Sequence, residues 1–286
     1  MSTLNRDAML RLLRECSEQK ATELHFKVPN RPLMRMPDGA LVPTRHNQLV
    51  PSDTTAAVFA LCALARIELP VAQLRDHEFS FGINGLGRYQ ALIYRQRGTL
   101  GAVVRRVNTS IPTLEALGVP DEVEAKVGEP GLILIAGQHR TEVLHALVSS
   151  FNGRSRAHVV IVETPLTYLH RDAMSAISHR EVGIDVPQYE AGLEQAVRIG
   201  ADLVALGNVP DATTADRLLW AAERQLPVIA AVAAPTAAEA TWWLTRMFYG
   251  EQRADTERRL DAVLRAVVSA SPGETPDVKW LYPDPS

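Results

Sequence analysis

The chain has 286 residues, 46% hydrophobic and 22% charged, with a formal net charge of −3. That length suits one large domain or two of moderate size, and the apolar fraction supports a buried core and excludes a disordered polyelectrolyte. The slight acidity argues against a protein that wraps nucleic acid, which would show a basic face. Cys16 and Cys62 each lie in an apolar helical pattern. They read as core packing in a reduced compartment, and no zinc-type spacing exists.

The opening MSTLNRDAML has no charged start followed by an apolar run, so no signal peptide is expected. No window approaches the roughly 18 uninterrupted apolar residues of a membrane span. The expectation is a cytoplasmic protein, able to dock on a membrane complex. Leu4, Met9, Leu12, Leu13 and Cys16 repeat at helical spacing. Residues 22–26 read as a strand, and Pro37-Asp38-Gly39 predicts a hairpin turn. An Ala/Leu-rich helix follows over 54–67, then strands over 78–83, 88–95 and 100–107. This first portion, residues 1–110, is a mixed α+β domain ending in a linker at 108–110.

Beyond it the rhythm changes. GLILIA (131–136), HVVIVE (158–163), DLVALG (202–207) and PVIAAV (227–232) are apolar almost throughout. Such runs suit strands buried on both faces. Helical patterns over 141–151, 188–199, 212–224 and 237–248 alternate with them. The alternation predicts a parallel sheet with helices on both faces, and ligands in such sheets bind beyond the carboxyl ends of the strands. A polar helix is predicted over 254–269, within a core domain of 111–270, and an extended Pro/Asp-rich tail over 271–286.

Several strings stand in a telling order: ATELHF (21–26), EFSFGINGLGRYQALIYRQRG (78–98), GLILIAG (131–137), HVVIVETPLTYLH (158–170), HREVGIDV (179–186) and ADLVALGNVPD (201–211). From about Leu4 to Ser269 the chain resembles the PilT-like pilus-retraction and secretion motor ATPases. That family carries A-S-D-L-H, G-L-V-L-V-T-G, I-E-D-P-I-E, Q-R-E-V-G and G-E-M-R-D. The resemblance implies a PAS-like N-terminal domain, a RecA-like P-loop NTPase core and a hexameric ring that spends ATP on pilus retraction.

The chemistry departs from that pattern at four places. A phosphate loop, G-x-x-x-x-G-K-[ST], wraps phosphates in backbone N–H groups and sets its lysine six positions after the first glycine. Here Gln138-His139-Arg140-Thr141-Glu142 follows Gly137, so Arg140 comes three positions on and the second glycine is missing. Arginine is no neutral replacement for lysine in so tight a cradle. Two readings stand: a turn capped by its own Thr141 and Glu142, or a remnant anion site built on Gly137, Arg140 and Thr141. The family's acidic box keeps Glu163, while its next two carboxylates have become Thr164 and Thr167. One carboxylate is too few to hold magnesium and orient water. The glutamate of G-E-M-R-D is Asn208, which accepts no proton at neutral pH, and its arginine is Pro210. Asp202 and Asp211 remain and fit strand-start and helix-cap duties. Ala233 stands where the T-L-H-T histidine would be, and Leu226 replaces a second histidine.

No catalytic residue is therefore expected intact, no metal and no cofactor, with ATP and Mg²⁺ retained only in the remnant-site reading. The favoured expectation is a non-hydrolysing regulatory or scaffolding component of a type IV pilus, twitching-motility or secretion motor. The alternative is a weak ATPase subunit. Pilus or secretion motor ATPases and pilus-base proteins are the implied partners, in a homo- or hetero-oligomer, without nucleic acid. Arg88, Arg95, Arg97 and Arg105 read as interface charges or a solvated face, His179-Arg180-Glu181 as a structural loop, and His25 as a packing group beside Glu23. Trp280, Leu281 and Tyr282 read either as a docking peptide or as a tail packed on its own domain.

Overall fold

The change of rhythm near residue 108 is a change of architecture. In the computed structural model, which describes residues 4–68, 76–270 and 276–280, the chain divides into two units, Met1–Asn108 and Thr109–Ser286.

The first unit is an antiparallel sheet with helices on one face. Helix α1 (Arg6–Glu18) starts where the Asn5 side chain accepts the Ala8 N–H at 2.9 Å. It buries Ala8, Met9, Leu12, Leu13 and Cys16, the stripe that the spacing predicts. Strands β1 (Glu23–Phe26), β2 (Leu33–Arg35) and β3 (Leu41–Pro43) precede helix α2 (Pro51–Ala65). Strands β4 (His77–Ile83), β5 (Gly87–Gln96) and β6 (Thr99–Arg106) follow it, and the sheet order is β3-β2-β1-β6-β5-β4. Leu24 and Phe26 of β1 point into the core with α1 and α2, whereas Glu23 and His25 alternate outward. There Glu23 accepts from Arg35 Nε at 2.8 Å and Arg105 Nε at 2.9 Å, with His25 Nε2 at 2.7 Å. Burial alone would raise this carboxyl. The hydrogen bonds from Arg35, His25 and Arg105 outweigh it and hold the carboxyl below the ordinary value.

The second unit is a sheet between two helical layers. Short helices α3 (Leu114–Leu117) and α4 (Asp121–Lys126) lead into β7 (Gly131–Ala136), α5 (Arg140–Arg154), β8 (His158–Glu163) and β9 (Ala176–Glu181). Then come α6 (Tyr189–Arg198), β10 (Leu203–Leu206), α7 (Ala212–Glu223), β11 (Pro227–Ala231) and α8 (Ala237–Thr245). Helix α9 (Gly250–Val263) and strands β12 (Leu264–Ser269) and β13 (Asp277–Trp280) complete the order. The sheet runs β13-β12-β7-β11-β10-β8-β9, parallel throughout except for β13. One core layer joins it to α3, α4 and α5, the other to α6 through α9. Every residue of β7 and β10 is buried, as continuous apolar runs require.

Three expectations change. The helix predicted over 254–269 ends at Val263, and its last six residues become β12. The segment LRAVVS carries paired valines that suit a strand, and the open flank of β7 needs a hydrogen-bonding partner. Strand β12 supplies it, from Leu264 opposite Leu132 to Ser269 opposite Ala136. His179-Arg180-Glu181 is not a loop but the end of β9, paired in parallel with β8. Residues 277–280 are not a free tail, since β13 pairs with β12 from Asp277 opposite Ser269 to Trp280 opposite Ala266. Leu281 and Tyr282 lie outside the described residues.

Strand β7 enters the sheet through Gly131, whose φ is +126° and whose missing Cβ would come within 2.6 Å of the Val263 carbonyl oxygen. Backbone cannot step aside as a flexible side chain can. Gly131→Ala is expected to lose about 2–4 kcal/mol in urea unfolding. Gly153→Ala, in open space on α5, is expected to stay within about 0.5 kcal/mol or gain slightly.

Candidate functional site

The carboxyl ends of β7, β8, β10 and β11 lie at one end of the parallel sheet, the place where this architecture puts its chemistry. Strand β7 ends at Ala136 and α5 starts at Arg140, leaving only Gly137, Gln138 and His139 between them. Gly137 has φ +89°, and a Cβ there would strike the Ser269 hydroxyl. Its N–H donates to the Ala234 carbonyl at 2.9 Å, so one amide of the turn is already used. Arg140 folds back and its Nη1 donates to the Gly137 carbonyl at 3.3 Å. The N-cap is His139, whose side chain makes no capping bond. The predicted capping by Thr141 therefore does not form, because the helix begins one residue earlier. Glu142, in the first turn, has His139 Nδ1 at 4.0 Å and puts negative charge at the positive end of the helix.

A buried histidine lies one turn further along α5. His145, wholly buried on α5, lies over the end of β8. Its Nε2 is 3.1 Å from Glu163 Oε2, and its Nδ1 is 3.0 Å from His170 Nε2. Glu163 is 3% exposed. Its Oε2 also faces the Thr167 N–H at 3.4 Å. Its Oε1, 4.0 Å from His179 Nδ1, is buried without a hydrogen bond among the described residues. The His170 N–H donates to His179 Nε2 at 3.2 Å, which puts the proton of a neutral His179 on Nδ1, toward Glu163. The Tyr168 ring packs on His145 with centroids 4.8 Å apart.

The other predicted positions fall around this cluster without joining it. Thr164 is exposed, and its N–H donates to the Tyr189 hydroxyl at 3.3 Å. The Thr167 hydroxyl donates to the Pro165 carbonyl at 3.2 Å, so neither threonine side chain replaces a lost carboxylate at Glu163. Gly207 backs onto Glu163, where an added Cβ would meet the glutamate Cβ at 2.6 Å. Asn208 follows it, with a buried Oδ1 that takes no hydrogen bond from the described residues. Asp211 caps α7 through the Thr214 N–H at 2.8 Å, and Asp202 accepts the His158 N–H at 2.8 Å. Ala233 is exposed after β11 and carries no polar side-chain atom. Among the described residues no group of three or more His, Cys, Asp or Glu side chains is placed to hold a metal ion.

Sequence reasoning missed His145 and His170. The available signal was local: a lone imidazole in the apolar run Val143-Leu144-His145-Ala146-Leu147 must find a partner once buried.

No protein-family model matches the chain, but individual proteins do. The type IV pilus ATPase PilU of Pseudomonas aeruginosa is 28% identical over 279 residues, covering 94% of this chain and 71% of PilU. The type IV pilus retractation ATPase PilT of the same organism is 25% identical over 267 residues, covering 90% of this chain and 76% of PilT. The crystal structure of the pilus retraction motor PilT with bound ADP superposes with a TM-score of 0.80 at 24% identity, covering 94% of this chain and 78% of that one. The last likeness establishes the fold. No helix among the described residues is long and apolar enough to cross a membrane.

Burial, then the neighbouring His145 and His179, lower the His170 imidazole from 6.5 to about 3. Below the unfolded value of about 6.5 the unfolded chain takes up a proton that the folded chain refuses. The contribution of a neutral His170 is thus complete above that pH and is lost as pH falls toward about 3, at up to about 1.4 kcal/mol per pH unit. His170→Gln removes this titration. Urea midpoints measured between about pH 7 and pH 5 should fall less steeply for the variant than for the parent. Equal slopes would contradict a buried neutral imidazole.

Proposed function

From a chain that belongs to the PilT-like family of type IV pilus and secretion motor ATPases, we propose a member that does not hydrolyse ATP. It acts as a regulatory or scaffolding component of a type IV pilus, twitching-motility or secretion motor. One observation carries the reading: Gly137, Gln138 and His139 alone connect β7 to α5. A triphosphate is held by a ring of inward N–H groups with a cation reaching its outer phosphates. Here the Gly137 N–H is bonded to Ala234 and Arg140 is turned onto the Gly137 carbonyl. Further support comes from Glu163, which is engaged by His145, and from Asn208 in the place of the family's glutamate. The residues present do not fit ATP with Mg²⁺.

On this reading the protein works by binding. Its partners are an active motor ATPase of the same family or proteins of the pilus base, at the cytoplasmic side of the membrane. The second reading, a weak nucleotide subunit, draws on the uncapped first turn of α5 at His139, since free helix N-terminal amides attract anions.

Purified protein is expected to release no phosphate from ATP above a protein-free blank, and calorimetry with ATP and Mg²⁺ to show no saturable heat. Turnover well above background that Glu163→Ala abolishes would sink the proposal. Heat without turnover, lost in Arg140→Ala, would support the second reading.

A further inference from the structure

Glu163 is a carboxylate that its own chain has enclosed, and the enclosing group is a histidine that sequence reasoning did not anticipate. We propose that His145 is a positioning residue: it holds the Glu163 carboxylate turned inward, in a set of contacts that leaves no place for a divalent cation. The inference deepens the reading of this strand end as catalytically silent, and it rests on that reading.

The geometry carries it in three steps. First, both nitrogens of His145 are engaged, Nε2 with Glu163 Oε2 at 3.1 Å and Nδ1 with His170 Nε2 at 3.0 Å. A ring so held has one orientation, and with His170 Nε2 donating to its Nδ1 the neutral ring carries its own proton on Nε2, toward the carboxylate. Second, the other carboxylate oxygen faces His179 Nδ1 at 4.0 Å, so imidazoles approach both oxygens and only 4% of the side chain stays open to solvent. A hard cation needs oxygen ligands and keeps several waters; this pocket offers one carboxylate and no open path to it. Third, the enclosure is built from elements set by the fold. Helix α5, which starts at Arg140, brings His145. Gly207 lets the Glu163 Cβ press against β10's end. The loop after β8 supplies the Thr167 N–H and His170.

The test uses the full chain and Mn²⁺ alone as probe. In the parent, a histidine-selective ¹⁵N spectrum should show a His145 ring N–H protected from exchange with water. Mn²⁺ should leave the His179 ring signals sharp. His145→Gln, whose amide can donate to Glu163 and accept from His170, should behave like the parent. In His145→Ala the Glu163 carboxylate loses its nearest partner, and the ring signals of His170 and His179 should move away from their positions in the parent. A folded His145→Ala variant whose His170 and His179 ring signals match the parent's overturns the proposal. If that variant does not fold, the parent decides: a fast-exchanging His145 ring proton, or Mn²⁺ broadening of His179 that Glu163→Gln removes, overturns it equally. The two readings fail separately. ATP turnover by a parent whose His145 N–H stays protected removes the silent-motor reading and leaves the positioning role. An unprotected ring in a protein without turnover does the reverse.

Discussion

A carboxylate at the end of β8 with about 4% of its side chain open to solvent must be answered from inside the protein. Water cannot do it, and an unanswered buried charge is among the most costly features a fold can hold. Glu163 is answered by His145 from α5, by the Thr167 N–H from the following loop and, at longer range, by His179 from β9. Each partner comes from a different element, so the carboxylate ties helix, loop and edge strand to the end of β8. Removing one member of such a buried pair typically costs about 3–5 kcal/mol. The replacement of both partners by apolar groups costs far less, which makes the network a constraint on geometry more than a source of stability.

The short turn and the enclosed carboxylate meet on one helix: α5 starts at Arg140, directly after Gly137, Gln138 and His139, and carries His145 to Glu163. Gly207, pressed against Glu163, keeps the room a glutamate needs even though Asn208 follows it. The outer face of the first unit shows a related economy: Glu23 gathers Arg35, Arg105 and His25 at a position where the family motif also carries an acid. These charges are partly solvated, and their energetic weight is correspondingly small.

Much of the fold was legible in the sequence because periodicity reports burial. The apolar runs of β7, β8, β10 and β11 and the stripe of α1 needed no tertiary information. Leu264–Ser269 was misread because a short apolar run after a polar helix fits either structure, and the vacancy beside β7 that selects a strand is created 135 positions earlier, near Pro130. Strand β9 was missed for the opposite reason. Its sequence, Ala-Ile-Ser-His-Arg-Glu, is half-exposed at the sheet edge and has no continuous apolar signature. At the candidate site, absences such as Asn208 and Ala233 were readable residue by residue. The enclosure of Glu163 was not, since His145, His170 and His179 meet only once α5, the loop and β9 are in place.

The position of β12 bears on how the chain becomes folded as it is made. Strand β7 lies between β11 and β12, yet the chain reaches β12 only after passing through every other parallel strand. At roughly 5–20 residues per second, β7 leaves the ribosome on the order of ten seconds before its second neighbour. During that interval one whole edge of β7 has no partner from its own chain, while the first unit, complete by Asn108, is free to close. Parallel pairing over such a separation is slow to begin and prone to capture by other chains. The arrival of six residues at the end of α9 therefore sets the moment at which β7 can be paired on both edges.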